Sequence, residues 1–314
     1  TVGQGFSVQN FGVALGDLDG DGDVDGIVGA YSYDPSKVVI NQGGAQGGTE
    51  GTFEVFDAPG GALRTYDVAL GDVDADGDLD VVLADWGSGD AGGEGGVTQL
   101  WLGDGAGGFT DATASNMPQV KVSWSWELDL ADVDNDYDLD VLVSCKTCSG
   151  SFLFHNDGAG QFTDASDQLP QFGNNYEFEP IDLDGDDFVD LITINDGPGN
   201  TEHIFLGDGM GGFDDATADL WPADANVPGD DNMVAFLDVD SDGDADFVIA
   251  GLFGNDDRAP SPEQVDQHEA ALKKHGKDYA FHRYDGAGHG IVPETPVEHA
   301  QALVEFVHRT GRRE

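Results

Sequence analysis

Five strings of alternating aspartates carry the densest potential chemistry in this sequence. They are DLDGDGDVD from Asp17, DVDADGDLD from Asp72, DVDNDYDLD from Asp132, DLDGDDFVD from Asp182 and DVDSDGDAD from Asp238. Alternation points every second carboxylate at a common centre. A calcium ion takes roughly six to eight hard oxygens at such a centre. The expected ligand positions are Asp17, Asp19, Asp21, Asp23 and Asp25, followed by Asp72, Asp74, Asp76, Asp78 and Asp80. The third loop offers Asp132, Asp134, Asp136, Asp138 and Asp140. The fourth offers Asp182, Asp184, Asp186, Phe188 and Asp190, and the fifth Asp238, Asp240, Asp242, Asp244 and Asp246. Positions one, three and five project inward, position seven supplies a main-chain or side-chain oxygen, and position nine closes the site. Position six must turn the chain and is Gly22, Gly77 and Gly243 in three loops, but Tyr137 and Asp187 in the others. Asp accepts a positive φ more readily than Tyr, so the third loop carries the most backbone strain. About five bound Ca2+ ions are expected, one per loop, in a structural role.

A second set of carboxylates appears when the strings are aligned on their first Asp. Five residues upstream stand Gly12, Asp67, Glu127, Glu177 and Met233, and six upstream Phe11, Tyr66, Trp126, Tyr176 and Asn232. Three consecutive repeats thus place a carboxylate beside an aromatic. Asp67, Glu127 and Glu177 are candidate catalytic groups: clustered carboxylates can hold a further cation that polarises a carbonyl, and one of raised pKa can activate water. Tyr31, Arg64, Asp85, Trp86, Trp124 and Asn195 are expected on loops at the same rim.

The elements that must position these groups follow from the spacing. The Asp strings recur at offsets of 55, 60, 50 and 56 residues. Each follows a short apolar segment and leads into a β-branched run such as Val81-Val82-Leu83 or Leu191-Ile192-Thr193-Ile194. Further on come Leu100-Trp101-Leu102, Phe152-Leu153-Phe154 and Ile204-Phe205-Leu206, then the turn strings DGAGGF, DGAGQF and DGMGGF. Short apolar runs bounded by Gly and Asp read as strands. Each repeat is therefore four strands, with the Asp loop between the first and second. Four strands at this period suit a propeller blade. The expected fold is all-β: a five-bladed β-propeller over residues 1–257, a calcium-binding Asp loop in each blade, and a small C-terminal α/β extension over 258–314. The strand at Gly3-Gln4-Gly5-Phe6 is expected to complete the last blade and close the ring. In such blades the loops between strands two and three share a face with the blade-to-blade loops, opposite the Asp loops.

With Asp loops and LGDGxGxF phrases in phase, residues 1–257 resemble the FG-GAP/VCBS repeat family. The resemblance implies a calcium-binding propeller, in a family that includes adhesion proteins, secreted domains and domains attached to enzymes. It implies no reaction by itself.

Composition divides the chain at the same place. The 314 residues carry 62 acids against 12 bases, a formal net charge of −50, yet eight of those bases lie from Arg258 onward. An acidic surface of this size repels phosphate backbones and anionic lipid, which excludes nucleic acid as a partner. No apolar run has the ~20 residues that membrane insertion needs. The tail reads as a helix over Gln264–Lys274, a strand over Tyr279–Tyr284, the loop Gly286-Ala287-Gly288-His289-Gly290 and a final helix from Thr295. Its strings GNDDRAP, HEAALKKHGKDYAFHRYDGAGHG and VEHAQALVEFVHR resemble the end of α/β-hydrolases of the dienelactone hydrolase type. That resemblance places Asp256 at the family's triad acid and His289 at its triad histidine, making His289 a fourth catalytic candidate. The sequence has no GxSxG or GxCxG nucleophile elbow, so the triad is incomplete.

Cys145 and Cys148 are the only cysteines. In CKTC on a hairpin they are expected to form a short-loop disulfide, which with calcium implies an extracellular, secreted setting. The first residues, Thr-Val-Gly-Gln-Gly, lack the basic and apolar regions of a secretory signal, so a signal is expected to have been removed or to precede them. The function expected first is a calcium-dependent hydrolase of lactones, acyl-homoserine lactones among them, or simple esters, because the inner carboxylates and the hydrolase-like tail point to the same bond type. The alternative is a non-enzymatic calcium-stabilised propeller for adhesion or carbohydrate binding through the rim aromatics.

Overall fold

The computed structural model describes residues 10–31, 34–43, 47–49, 51–87, 94–195, 200–221, 226, 233–237, 246–250 and 253–254, with 266, 270, 273–274 and 283–284 beyond them. Most of the described chain forms four consecutive four-stranded antiparallel sheets. The first holds β1 (Asn10–Gly16), β2 (Asp25–Ala30), β3 (Pro35–Asn41) and β4 (Phe53–Ala62), and the second β5 (Thr65–Gly71), β6 (Asp80–Asp85), β7 (Gln99–Gly103) and β8 (Phe109–Asp111). The third holds β9 (Leu128–Ala131), β10 (Asp140–Val143), β11 (Phe152–His155) and β12 (Thr163–Asp164). The fourth holds β13 (Asn175–Ile181), β14 (Asp190–Asn195), β15 (His203–Gly207) and β16 (Phe213–Asp215). Strands pair in chain order within every sheet, so each repeat is one meander with its Asp loop between the first two strands. The segment is a β-propeller-like run of repeats.

The unbroken apolar run of each second strand has a packing cause. Every residue of β6 (Asp-Val-Val-Leu-Ala-Asp) is buried. Val81 and Leu83 enter a core with Ile27, Val38 and Val68 of the first two sheets. Val82 and Ala84, on the opposite side of the pleat, enter a core with Val141, Val143 and Phe154 of the third. A sheet sandwiched between two others has two apolar faces, so period-two alternation disappears from its central strand. Leu142, Leu153, Phe178, Leu191 and Phe205 form the next core, between the third and fourth sheets.

First strands of neighbouring sheets run side by side, and glycine permits the approach. A β-carbon on Gly71 would lie 2.7 Å from Leu139 Cδ1 and 2.8 Å from Leu130 Cδ1. One on Gly16 would lie 2.7 Å from Leu79 Cδ1, the same contact one repeat earlier.

Of the fifth repeat, β17 (Met233–Leu237) and β18 (Asp246–Ala250) form an antiparallel pair. Asp246 begins β18, whereas Asp238, Asp240, Asp242 and Asp244 lie outside the described residues. So do Gly3–Phe6, expected to close the ring, and Asp256 and His289. In the tail, positions 266, 270, 273 and 274 are helical, within the expected helix. A short strand β20 (Arg283–Tyr284) runs parallel to β19 (Phe253–Gly254). The expected cysteine pair is joined: Cys145 and Cys148 form a disulfide with Cα atoms 5.5 Å apart.

Candidate functional site

Two constellations stand at opposite ends of the first strands: the Asp loops and an aromatic mouth. Each of the four described Asp loops repeats one hydrogen-bond scheme. The carboxylate at position one accepts from the N–H groups of positions five and six, as Asp17 does from Asp21 (3.1 Å) and Gly22 (2.9 Å). The position-five carboxylate accepts from the N–H of position seven, as Asp76 does from Asp78 at 2.9 Å. Position six has φ of 91° at Gly22, 94° at Gly77, 74° at Tyr137 and 71° at Asp187, so the left-handed turn expected there is formed even by tyrosine.

Position nine has a different task. Asp25, Asp80, Asp140 and Asp190 are each about 1% exposed. Each takes the N–H of position two on one oxygen, from Leu18, Val73, Val133 and Leu183 at 2.8–3.1 Å. The other oxygen takes an N–H at or just beyond the end of the third strand, from Asn41, Gly103, Asn156 and Gly207 at 2.7–2.8 Å. Burial raises the Asp80 and Asp140 carboxyls to about 6 despite these donors.

The loops bring carboxylate oxygens of positions one, three and nine within 4.8 Å of one another in the first, second and fourth repeats, and of one, three and five in the third. Asp21 Oδ2, Asp74 Oδ1 and Asp134 Oδ1 are buried with no hydrogen-bond partner among the described residues. Desolvated oxygens with no donor, in an all-oxygen set, fit a hard divalent cation such as calcium. Position seven turns its side chain elsewhere. The Asp78 and Asp138 carboxylates and the Phe188 ring lie against Gly105, Gly158 and Gly209 of the turn between strands three and four, leaving no room for a β-carbon there. A seventh-position ligand would therefore be the main-chain oxygen, which Phe188 carries as Asp does. The third loop has an additional neighbour: His155 Nδ1 lies 3.4 Å from Asp134 Oδ2.

At the other end, Tyr66, Trp126 and Tyr176 stand at equivalent positions on successive repeats. Together with Asp67, Glu127 and Glu177 they line an open pocket of about 280 Å³. Trp86 stacks on Tyr66 with centroids 3.7 Å apart, and Trp126 stacks on Tyr176 at 4.8 Å. Trp124 lies 4.9 Å from Trp86, and Tyr31 meets Tyr66 edge-on at 5.2 Å. The result is one continuous aromatic belt. Trp86 is held by its indole N–H, which donates to Ser125 O at 2.6 Å. Arg64 sits over the Tyr31 ring, 4.6 Å from its centroid. Asp85 accepts the N–H groups of Arg64 and Gly87, and the Asn195 amide donates to Thr201 O. These last two rim residues shape loops rather than face the pocket.

Asp67, Glu127 and Glu177 are brought together at the pocket, and two of them join sheets. Asp67 Oδ2 accepts the N–H of Leu128 at 3.1 Å, and Glu127 Oε2 accepts that of Phe178 at 2.8 Å. The first contact joins β5 to β9, and the second joins the residue just before β9 to β13. Burial pushes Asp67 upward against the lowering effect of its N–H donors. Glu127 lies well above the usual range, through burial first and then the charges of Asp129, Glu177 and Asp67. Sequence reasoning missed Asp129 and Glu179, two residues further along the same strands. Their signal was present in the alternation Glu127-Leu128-Asp129 and Glu177-Phe178-Glu179. Asp129 is raised to about 7 by burial, then by Glu179 and Asp67.

Residues 72–143 match the model of the FG-GAP-like repeat. That span runs from the second Asp loop to the end of β10, a full repeat and part of the next. No curated protein matches the chain. Among solved structures, an Agrocybe aegerita lectin recognising non-reducing terminal N-acetylglucosamine is 21% identical, with a TM-score of 0.46, over 79% of this chain and 62% of its own. The V. cholerae biofilm matrix protein Bap1 is 14% identical, with a TM-score of 0.40, over 78% of this chain and 35% of its own. The chain thus spans less than two thirds of either. Among the described residues no helix is long and apolar enough to cross a membrane.

Proposed function

We propose that this chain is a non-enzymatic, calcium-stabilised propeller that binds carbohydrate at the aromatic mouth. The observation that carries this reading is the belt of stacked rings beside three carboxylates at one open pocket. Flat rings offer apolar area to the C–H faces of a sugar, and neighbouring carboxylate oxygens accept its hydroxyls, the usual division of labour in a ligand pocket. Binding is favoured over lactone or ester hydrolysis because stacked rings line the mouth, while Asp67 and Glu127 each tie one oxygen to a main-chain N–H of the next sheet, a structural duty compatible with accepting a sugar hydroxyl.

Calcium completes the proposal. One ion per Asp loop would take side chains of positions one, three, five and nine and the main-chain oxygen of position seven, and its charge would offset the crowded carboxylates. The fifth repeat would form the fifth blade, with the strand expected at Gly3–Phe6 closing it. The disulfide fits a secreted or extracellular protein.

A glycan array followed by calorimetry, with calcium and with chelator, tests the reading. Binding that is lost in Trp126→Ala and Tyr176→Ala, in protein whose melting temperature is little changed, is the expected result. Turnover of a lactone or ester that disappears on joint replacement of Asp67, Glu127 and Glu177 would overturn it in favour of hydrolysis. Chelation is expected to lower the melting temperature, because an ion bound only by the folded state stabilises it by mass action.

A further inference from the structure

The protein presses an ammonium group of its own onto the aromatic mouth. Lys146 lies between the two cysteines of the Cys145–Cys148 disulfide. Its Nζ stands 5.6 Å from the centroid of Trp126 and 5.3 Å from that of Tyr176, two rings that line the pocket. The root of the loop is fixed as well, since the Lys146 N–H donates to Trp124 O at 3.2 Å.

We propose that this pocket selects ammonium: its ligand is a glycan bearing a free primary amine, and Lys146 is a tethered competitor for the same ring faces. The proposal rests on the glycan reading above and narrows it.

Three physical arguments support it. A neutral ligand entering the mouth strips water from Asp67, Glu127 and Glu177 and returns only hydroxyl hydrogen bonds. An ammonium returns an opposite charge and three N–H donors. The electron-rich faces of Trp and Tyr attract a cation by their quadrupole, most strongly where water is excluded. Carboxylates at equivalent positions of three successive sheets also repel one another, and the charge of Glu177 is among the causes that push Glu127 upward. A cation at the mouth relieves that repulsion, whereas an acidic glycan adds to it. Lys146 shows that the rings accept an ammonium. The disulfide limits how far the loop can retreat, while the lysine's four-carbon stem lets the head swing aside.

Calorimetry with a β-1,4-linked glucosamine tetrasaccharide and its fully N-acetylated counterpart tests this at physiological salt and saturating calcium. The amine form should bind at least about tenfold more tightly, equivalent to about 1.4 kcal/mol. Lys146→Met should tighten the amine form about fivefold, and more than it tightens the acetylated form. Lys121→Met removes the same charge from an exposed position that makes no ring contact among the described residues, and should tighten neither. Equal or tighter binding of the acetylated sugar overturns ammonium selectivity and leaves the glycan reading standing. A Lys146→Met gain no larger than that of Lys121→Met overturns the competitor role. If neither tetrasaccharide binds while neutral glycans on the array do, this inference falls alone. If no glycan binds, both fall.

Discussion

Replacing Asp129 with Asn should stabilise the protein at alkaline pH and leave it almost unchanged in acid. The side chain sits between sheets on β9, and its Oδ2 is buried with no hydrogen-bond partner among the described residues. Burial first, then Glu179 and Asp67, raise its pKa from 3.8 to about 7. A carboxyl whose folded pKa lies above its unfolded value favours the folded state fully only below the unfolded pKa. That contribution disappears as pH rises through the folded pKa. Each pH unit between 3.8 and about 7 is worth about 1.4 kcal/mol, so roughly 4 kcal/mol is removed between pH 4 and pH 7. Partial solvent access reduces this to about 3 kcal/mol. Asn has the same shape and does not ionise. For a chain of this size 1 kcal/mol moves the melting temperature by about 2–4 °C. The variant should therefore melt about 10 °C above the parent near pH 8.5, and within about 2 °C of it near pH 4.5. Thermal melts across that range, at fixed saturating calcium, give the difference curve directly. A flat difference, or an Asn variant less stable than the parent at pH 8.5, would refute a buried, repelled carboxylate on β9.

Glu127→Ala should cost about 1–3 kcal/mol by leaving the Phe178 N–H without its acceptor, while Glu127→Gln keeps an oxygen there and should cost less; chemical denaturation separates the two. Gly71→Ala forces a β-carbon into Leu130 and Leu139, and about 1–3 kcal/mol of destabilisation is expected in the same assay. Tyr137→Gly relieves a left-handed backbone at a residue 91% exposed, so it should stabilise by about 1 kcal/mol, read as a higher denaturant midpoint.

What the sequence revealed depended on range. The Asp loops were legible because their hydrogen bonds join residues two to seven apart, and a nine-residue string contains most of the scheme. Tyr137 at position six could be recognised as strained for the same reason. The second strands were legible through their β-branched runs. The partnership of Asp67 with Leu128 was not, since it spans 61 residues and exists only once two sheets lie side by side. Alignment of the repeats found those carboxylates and suggested chemistry for them; their main-chain acceptor role needed the neighbouring strand. Lys146 escaped notice because nothing in Cys-Lys-Thr-Cys indicates that its head reaches rings on two other segments.

The carboxylate at position nine has a consequence for how ions come and go. Its oxygens grip main-chain donors on two sides, the loop's own second residue and the end of the third strand. The loop therefore keeps its shape through contacts that need no cation. A bound calcium ion would be able to leave and return without the loop refolding, so its exchange should be quick and reversible. Falling calcium would then lower the melting temperature while each loop keeps its shape.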